Sequence, residues 1–293
     1  MQAPLVALAF IVLLPACAPS ADAGSPHTDT DTDTDTDTDT DTDTDTAEDG
    51  KAGFVRIAAS TFEMGCTAGQ ANCSTNEPVR TVTLTHDYWI GVTEVTQEMY
   101  ESARGVNPSE AADCGGDCPV EEVSWGEAAA YTNALSTAAG LPNCYSCNGP
   151  DCDYTSDPYL CEGYRLLTEA EWEGAARCGE DTLYAGSDAA REVAWVAETS
   201  SGVMHPVAQK EPNACGLFDM SGSAFEWVQD GLIVDPSTEP AVDPIGDPDS
   251  GNRVYRGGAY DFGAVGARVS ARAGFLDDTR DDSIGFRVGL TAN

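Results

Sequence analysis

The chain has 293 residues, 50 of them Asp or Glu and 14 of them Lys or Arg, for a formal charge of −36. That balance excludes binding to nucleic acid through a basic patch, and no apolar run reaches the ~20 residues that a membrane-spanning helix requires. The 11 cysteines point to an oxidising compartment, since a reducing cytosol seldom tolerates so many thiols without a metal to bind them.

Residues 1–16 read as a lipoprotein signal peptide. The apolar stretch 5–14 has signal length, and Leu14-Pro15-Ala16-Cys17 resembles a lipobox, whose cysteine is acylated and becomes the mature N-terminus. Lipidation of Cys17 would also account for an odd eleventh cysteine; the alternative is an ordinary cleaved signal that leaves a spare thiol. Residues 17–51 form the next segment, with an unbroken Thr-Asp repeat over 28–46. Like charges at every second position repel, and no apolar side chain offsets the ordering entropy, so a disordered tether is expected. These features place the protein outside the cytoplasm, lipid-anchored to the cell envelope at the outer membrane or cell surface, with the membrane as one partner.

The folded part reads as short strands, two helices and many turns. Residues Phe54–Ile57 and 61–64 read as strands, and 82–90 alternate up to the aromatic pair Tyr88-Trp89. Ser124 with Glu127 makes a capping box for a helix over 126–139, and Gly140 suits its left-handed stop. Thr168 with Glu171 opens a second helix over Glu169–Arg177. Beyond it lie long stretches rich in Gly, Pro and acids.

Seven segments occur in the order of one family: Phe62-Glu63-Met64-Gly65, Glu94-Val95-Thr96, Val123-Ser124-Trp125, the run from Arg165 to Glu173, the run from Gly216 to Gly222, Arg256-Gly257-Gly258 and Gly285-Phe286-Arg287. Over residues 52–290 the chain resembles the formylglycine-generating enzymes, also called sulfatase-modifying factors. The resemblance implies an irregular α+β, C-type-lectin-like fold, disulfide-stabilised and poor in regular secondary structure.

It also implies an activity, oxidation of a sulfatase cysteine to formylglycine by oxygen and copper(I) held by two thiolates, a soft ligand set that suits this ion. Alignment on Gly257-Gly258-Ala259-Tyr260 puts Phe262 and Ala267 at the thiolate positions. Neither binds copper, so none is expected and no catalytic residue is assigned. The neighbouring family serine is Ala259 and the usual Trp is Phe225. Three histidines, His27, His86 and His205, make a three-histidine iron site only if the tether folds back. No phosphate loop, dinucleotide fingerprint or Gly-x-Ser-x-Gly elbow occurs.

Calcium is the expected cofactor. Asp219, Gly222, Ala224 and Glu226 match the family motif in which two side chains and two backbone carbonyls surround one ion, and hard oxygens in a glycine turn suit calcium. Of the ten cysteines after Cys17, close spacing suggests Cys66 with Cys73 and Cys114 with Cys118. The cluster Cys144, Cys147, Cys152 and Cys161 supplies two further bridges or, alternatively, a zinc site, and Cys178 is left with Cys215. Trp125, Arg165, Trp172, Trp227, Arg256 and Arg287 serve core or ion-pair roles as readily as catalytic ones.

The resulting expectation is a pseudoenzyme, a calcium-stabilised binding or scaffold domain whose lectin-related face takes an extended peptide or a glycan. The alternative is an enzyme, either a formylglycine-generating oxidase with a divergent site or another metal-dependent oxidase of the family.

Overall fold

The computed structural model describes residues 51–71, 73–154 and 157–292. The signal peptide, Cys17, His27 and the Thr-Asp tether lie outside the described residues. The chain opens with β1 (Phe54–Ile57), β2 (Ser60–Met64), β3 (Arg80–Leu84) and β4 (Tyr88–Gly91). The alternating run over 82–90 is thus split between two strands by the turn at 85–87. Next come α1 (Gln97–Arg104), α2 (Trp125–Ala139), the hairpin β5 (Tyr145–Asn148) and β6 (Asp151–Tyr154), β7 (Tyr164–Leu166), α3 (Glu169–Arg177) and the single turn α4 (Ala190–Val193). The C-terminal part adds β8 (Phe225–Gly231), β9 (Ala241–Val242), β10 (Asn252–Arg256), β11 (Ala273–Leu276), β12 (Ile284–Phe286) and β13 (Val288–Thr291).

Both predicted helices carry their expected caps. Ser124 Oγ accepts from Glu127 N at 3.3 Å while Glu127 Oε2 accepts from Ser124 N at 3.0 Å, and Gly140 closes α2 at φ 71°. Thr168 and Glu171 repeat the box at α3, with bonds of 3.2 and 2.8 Å. Helix α2 begins at Trp125, one residue before the expected start. Helix α1 was not expected; Thr96 caps it, Gly105 stops it, and only Gln97 and Tyr100 are buried, too few apolar positions to show a period of 3.6.

The strands assemble into sheets ordered β1-β4-β13-β7, β11-β10-β8-β12 and β2-β3-β9, besides the β5-β6 hairpin. Strand β8 is buried at every position, which places it as the central wall of the second sheet, between antiparallel β10 and parallel β12. One hydrophobic cluster gathers Trp125, Tyr131, Trp227 and Phe286 between α2 and that sheet. A second gathers Leu84, Ile90, Leu167 and Trp172 around α3.

Five disulfides stitch the loops: Cys66–Cys73, Cys114–Cys118, Cys144–Cys161, Cys147–Cys152 and Cys178–Cys215. The zinc alternative for the Cys144–Cys161 cluster is therefore replaced by two nested bridges. Cys147 and Cys152 face each other across the β5-β6 hairpin, with Cα atoms 4.1 Å apart, so the strand register itself brings the sulfurs together.

Charged pairs are buried between the clusters. Arg165 and Glu171, both wholly inaccessible, make a two-pronged pair at 2.7 and 2.7 Å. Arg256 joins Glu169 at 3.2 Å and also bonds Glu173, while Arg272 holds Glu169 at 2.6 Å and Arg177 holds Glu173 at 2.8 Å. Asp230 accepts from Glu169 N and Gly246 N, each at 2.7 Å, yet burial, with Glu169 adding to it, pushes its carboxyl up to about 7.

A buried pair is costly to break on one side, because the survivor keeps an uncompensated charge. Arg165→Met should lower the free energy of unfolding by about 3 to 5 kcal/mol. Arg165→Met with Glu171→Gln should recover part of that loss, since the amide keeps an acceptor for Thr168 N. Urea denaturation with the disulfides intact checks both; a wild-type midpoint for the single variant would contradict the role given to this pair.

Candidate functional site

The segment from Leu217 to Glu226 is shaped by backbone conformations that few residues tolerate. Asp219 and Ser223 sit at φ 58° and 67°, and Gly222 at φ 78°. A Cβ on Gly222 would lie 2.3 Å from Trp195 O, so only glycine lets this turn press against the Trp195 backbone. Hydrogen bonds hold it there: Gly222 N donates to Gly257 O at 2.7 Å, Ser223 N to Trp195 O at 2.8 Å, and Phe218 N to Val92 O at 3.0 Å.

Within this frame Asp219 Oδ2 accepts from Ala208 N at 2.6 Å, while Asp219 Oδ1 is buried without a partner. Glu94, 130 positions before Ala224, is brought against the same turn, and its Oε1 accepts from Ala224 N at 3.3 Å. Its Oε2 is buried and unpartnered; the Ser223 hydroxyl lies close but closes no bond of ordinary geometry. Glu226 differs, because its Oε2 accepts from Trp172 Nε1 at 2.7 Å and both oxygens accept from Arg287, at 2.8 and 3.1 Å.

Three buried carboxylates thus face one guanidinium. Burial first, then Asp219, pushes Glu94 well above the usual carboxylate range, against the pull of Arg287. Burial likewise raises Asp219, with Glu226 adding to it. Two unpartnered acid oxygens beside a glycine turn fit a hard cation, which would satisfy both and offset the surplus negative charge. Among the described residues no three His, Cys, Asp or Glu side chains converge to hold a metal by themselves, so a cation here would draw on backbone carbonyls, those of Gly222 and Ala224 being the sequence candidates. The residue that sequence reasoning missed is Glu94. Its only signal was its place in the Glu94-Val95-Thr96 segment, since spacing does not reveal a partner 130 positions away.

Phe262 and Ala267, which the sequence resemblance pairs with the copper thiolates, lie on the adjoining loop. Gly258, at φ 82°, would carry a Cβ 2.7 Å from Ala267 Cα, so the chain folds tightly onto Ala267, which is buried. Phe262 is 50% exposed and meets Phe225 edge-on at 5.0 Å. A methyl group and a phenyl ring offer copper no donor. All ten cysteines of the described residues are in disulfides, Cys215 included. Trp125, Arg165, Trp172, Trp227, Arg256 and Arg287 are all buried, in the core or in the ion pairs above. His205 stacks on Trp195 with ring centroids 3.8 Å apart, and its Nε2 pairs with Ser200 O at 2.9 Å, a packing role.

Residues 39–292 match the family model described as sulfatase-modifying factor enzyme 1-like domain. Among curated proteins, the chain is 34% identical to chaperone protein LppX of Paenibacillus barcinonensis over 180 residues, 50% of this chain and 63% of that protein. It is 29% identical to the formylglycine-generating enzyme of Streptomyces coelicolor over 202 residues, 60% of this chain and 53% of that protein. The chain thus spans between half and two thirds of the length of these relatives. Among solved structures, Treponema denticola variable protein 1 superimposes with a TM-score of 0.72 at 30% identity, over 82% of this chain and 95% of that one.

The raised Glu94 carboxyl has a defined sign. The native state keeps a proton that the unfolded chain releases at the ordinary glutamate value of 4.5, so in chelator stability should fall as pH rises above that value. Glu94→Gln should flatten this slope and be the more stable protein at neutral pH. Urea midpoints measured in chelator between about pH 5 and about pH 8 test it; equal slopes for the two proteins would remove Glu94 from the account.

Proposed function

Because the chain belongs to the sulfatase-modifying factor enzyme 1-like family, yet carries Phe262 and Ala267 where the enzymes carry copper thiolates, we propose that it is a binding domain and not an oxidase. The family fold is kept and the soft ligands are gone. The carrying observation is that exchange: losing both thiolates removes the reason a site would select Cu(I), and the described cysteines that remain are oxidised in pairs.

Calcium is the cofactor in this reading, held by Asp219 and Glu94 with the carbonyls of Gly222 and Ala224. Glu226 acts as the anchor that positions Arg287 and Trp172. The ion would supply structural cohesion by neutralising buried acids at the junction of the Asp219 turn, β8 and the Glu94 segment. The protein is exported, in keeping with its five disulfides, and we read Cys17 as its lipid attachment, with the Thr-Asp repeat holding the domain away from the membrane. A polypeptide ligand is favoured by the Paenibacillus relative, whose name is that of a chaperone, since a chaperone must hold chain segments.

The deciding experiment mixes the full disulfide-bonded chain with copper(I), oxygen and a Cys-x-Pro-x-Arg peptide and follows the peptide by mass spectrometry. We expect an unchanged mass and no retained copper, beside an active enzyme as control; an aldehyde at the cysteine would establish the oxidase instead. For calcium, a hundredfold excess over Kd should stabilise the fold by about 2.7 kcal/mol, seen as a rise in Tm that chelator reverses and Asp219→Ala abolishes. A Tm indifferent to calcium would remove the ion from this reading.

A further inference from the structure

A cleft is lined by the end of β2, the segment before β3, the first turns of α3 and the loops that follow β8. None of its lining residues belongs to the Asp219 turn or to the loop that carries Phe262 and Ala267. It opens to solvent, and its inner space amounts to about 50 Å³, the room of about three to five water molecules. Ile233 and Ile245, 39% and 37% exposed, form an apolar lip with Pro236 and Pro244.

Three polar groups of the lining lack a fitting partner. Arg80 is partly buried and closes no ion pair among the described residues; its guanidinium only donates to Met64 Sδ at 4.0 Å. A chain with 50 acids against 14 bases has thus left this cation without a carboxylate. Arg272, the other base of the lining, is spent on Glu169 and on the carbonyls of Asn76 and Ile233. Asp230 is the opposite case: it accepts from the backbone amides of Glu169 and Gly246 and closes no ion pair, so burial, with Glu169 adding to it, prevails over Arg272 and raises its carboxyl. Asn76 Nδ2 donates to Arg272 O at 3.3 Å, which fixes the amide and leaves Oδ1 buried without a donor. The remaining acids of the lining, Glu77, Glu169 and Glu173, are each paired with arginine.

We propose that this cleft binds a free α-amino acid with an apolar side chain, its carboxylate on Arg80 and its ammonium shared between Asp230 and Asn76 Oδ1. A guanidinium grips a carboxylate through two parallel bonds, and an ammonium has donors enough for an acid and an amide oxygen together. The inner space suits the charged head, while the side chain lies against Ile233 and Ile245 at the lip. An apolar wall with a few converging polar groups is the usual makeup of a small-molecule site. A simple carboxylate would leave Asp230 and Asn76 uncompensated, and a simple amine would leave Arg80 so. The zwitterion answers both signs, and its zero net charge lets it approach a protein whose field repels anions.

The test is calorimetric titration of the full disulfide-bonded chain with L-leucine as the probe. Beside it stand isocaproate, which keeps the carboxylate and lacks the amine, and isoamylamine, which keeps the amine and lacks the carboxylate. We expect leucine to bind at millimolar concentration or below and each half-ligand to bind at least about tenfold more weakly. Arg80→Ala should weaken leucine binding by about tenfold or more. Arg80→Lys should weaken it less, since lysine restores the charge but not the two-pronged grip. Because Arg80 holds no ion pair, both variants should fold.

Hydrogen exchange on the unaltered protein gives a second readout, with residues 76–80 and 230–246 expected to slow when leucine is added. Absence of leucine binding would leave water as the occupant of the cleft and overturn the inference. Equal binding of isocaproate or isoamylamine would overturn it too, as would an Arg80→Ala protein that takes leucine unchanged or slowed exchange confined to other segments.

Discussion

The fold turns on one buried guanidinium. Arg287 has no contact with solvent and spends its donors on both oxygens of Glu226 and on the carbonyls of Gly91, Val92 and Phe218. These acceptors come from β8, from the end of β4 and from the Asp219 turn, three segments that share no hydrogen-bonded ladder at this point. A lysine would reach one of them as a point charge; the planar fork of arginine reaches all three. Trp172 Nε1 completes the arrangement by donating to Glu226 from α3. The Asp219 turn and the Glu94 segment therefore take their places around this pair.

The same economy of bases shapes the surface. Six of the 14 basic residues, Arg165, Arg177, Arg253, Arg256, Arg268 and Arg287, are buried. Nine acids are buried with them, so the interior is close to charge-balanced while the exterior has few positive charges to interrupt its acids. Such a field raises the local concentration of cationic partners and keeps anionic polymers away.

Much of this architecture was legible in the chain, and the parts that were not have physical reasons. Helices α2 and α3 announce themselves through reciprocal caps, a purely local code. Short spacings suggested Cys66 with Cys73 and Cys114 with Cys118, and the hairpin register brings Cys147 to Cys152. Helix α1 escaped because its buried face is only Gln97 and Tyr100, and the run over 82–90 concealed a turn because alternation persists across it. Glu94 escaped for a different reason: its chemistry exists only after tertiary folding sets it beside Asp219. Alignment puts Phe262 and Ala267 at the family's thiolate positions, whereas the ring contacts among Phe225, Tyr255, Phe262 and Phe275 join four separate segments and show only in the fold.

The five disulfides link residues separated by 4, 5, 7, 17 and 37 positions. Loop closure is fastest and least costly in entropy for short separations, so most of these thiols meet their native partners before distant ones. Random encounter and final connectivity favour the same pairs at Cys66–Cys73, Cys114–Cys118 and Cys147–Cys152, whereas Cys144 has Cys147 nearer in the chain than its partner Cys161. Cys178 and Cys215, which join the end of α3 to the loop before the Asp219 turn, have the longest separation and must wait for tertiary structure. Their oxidation would mark the moment at which the ion-pair core has closed.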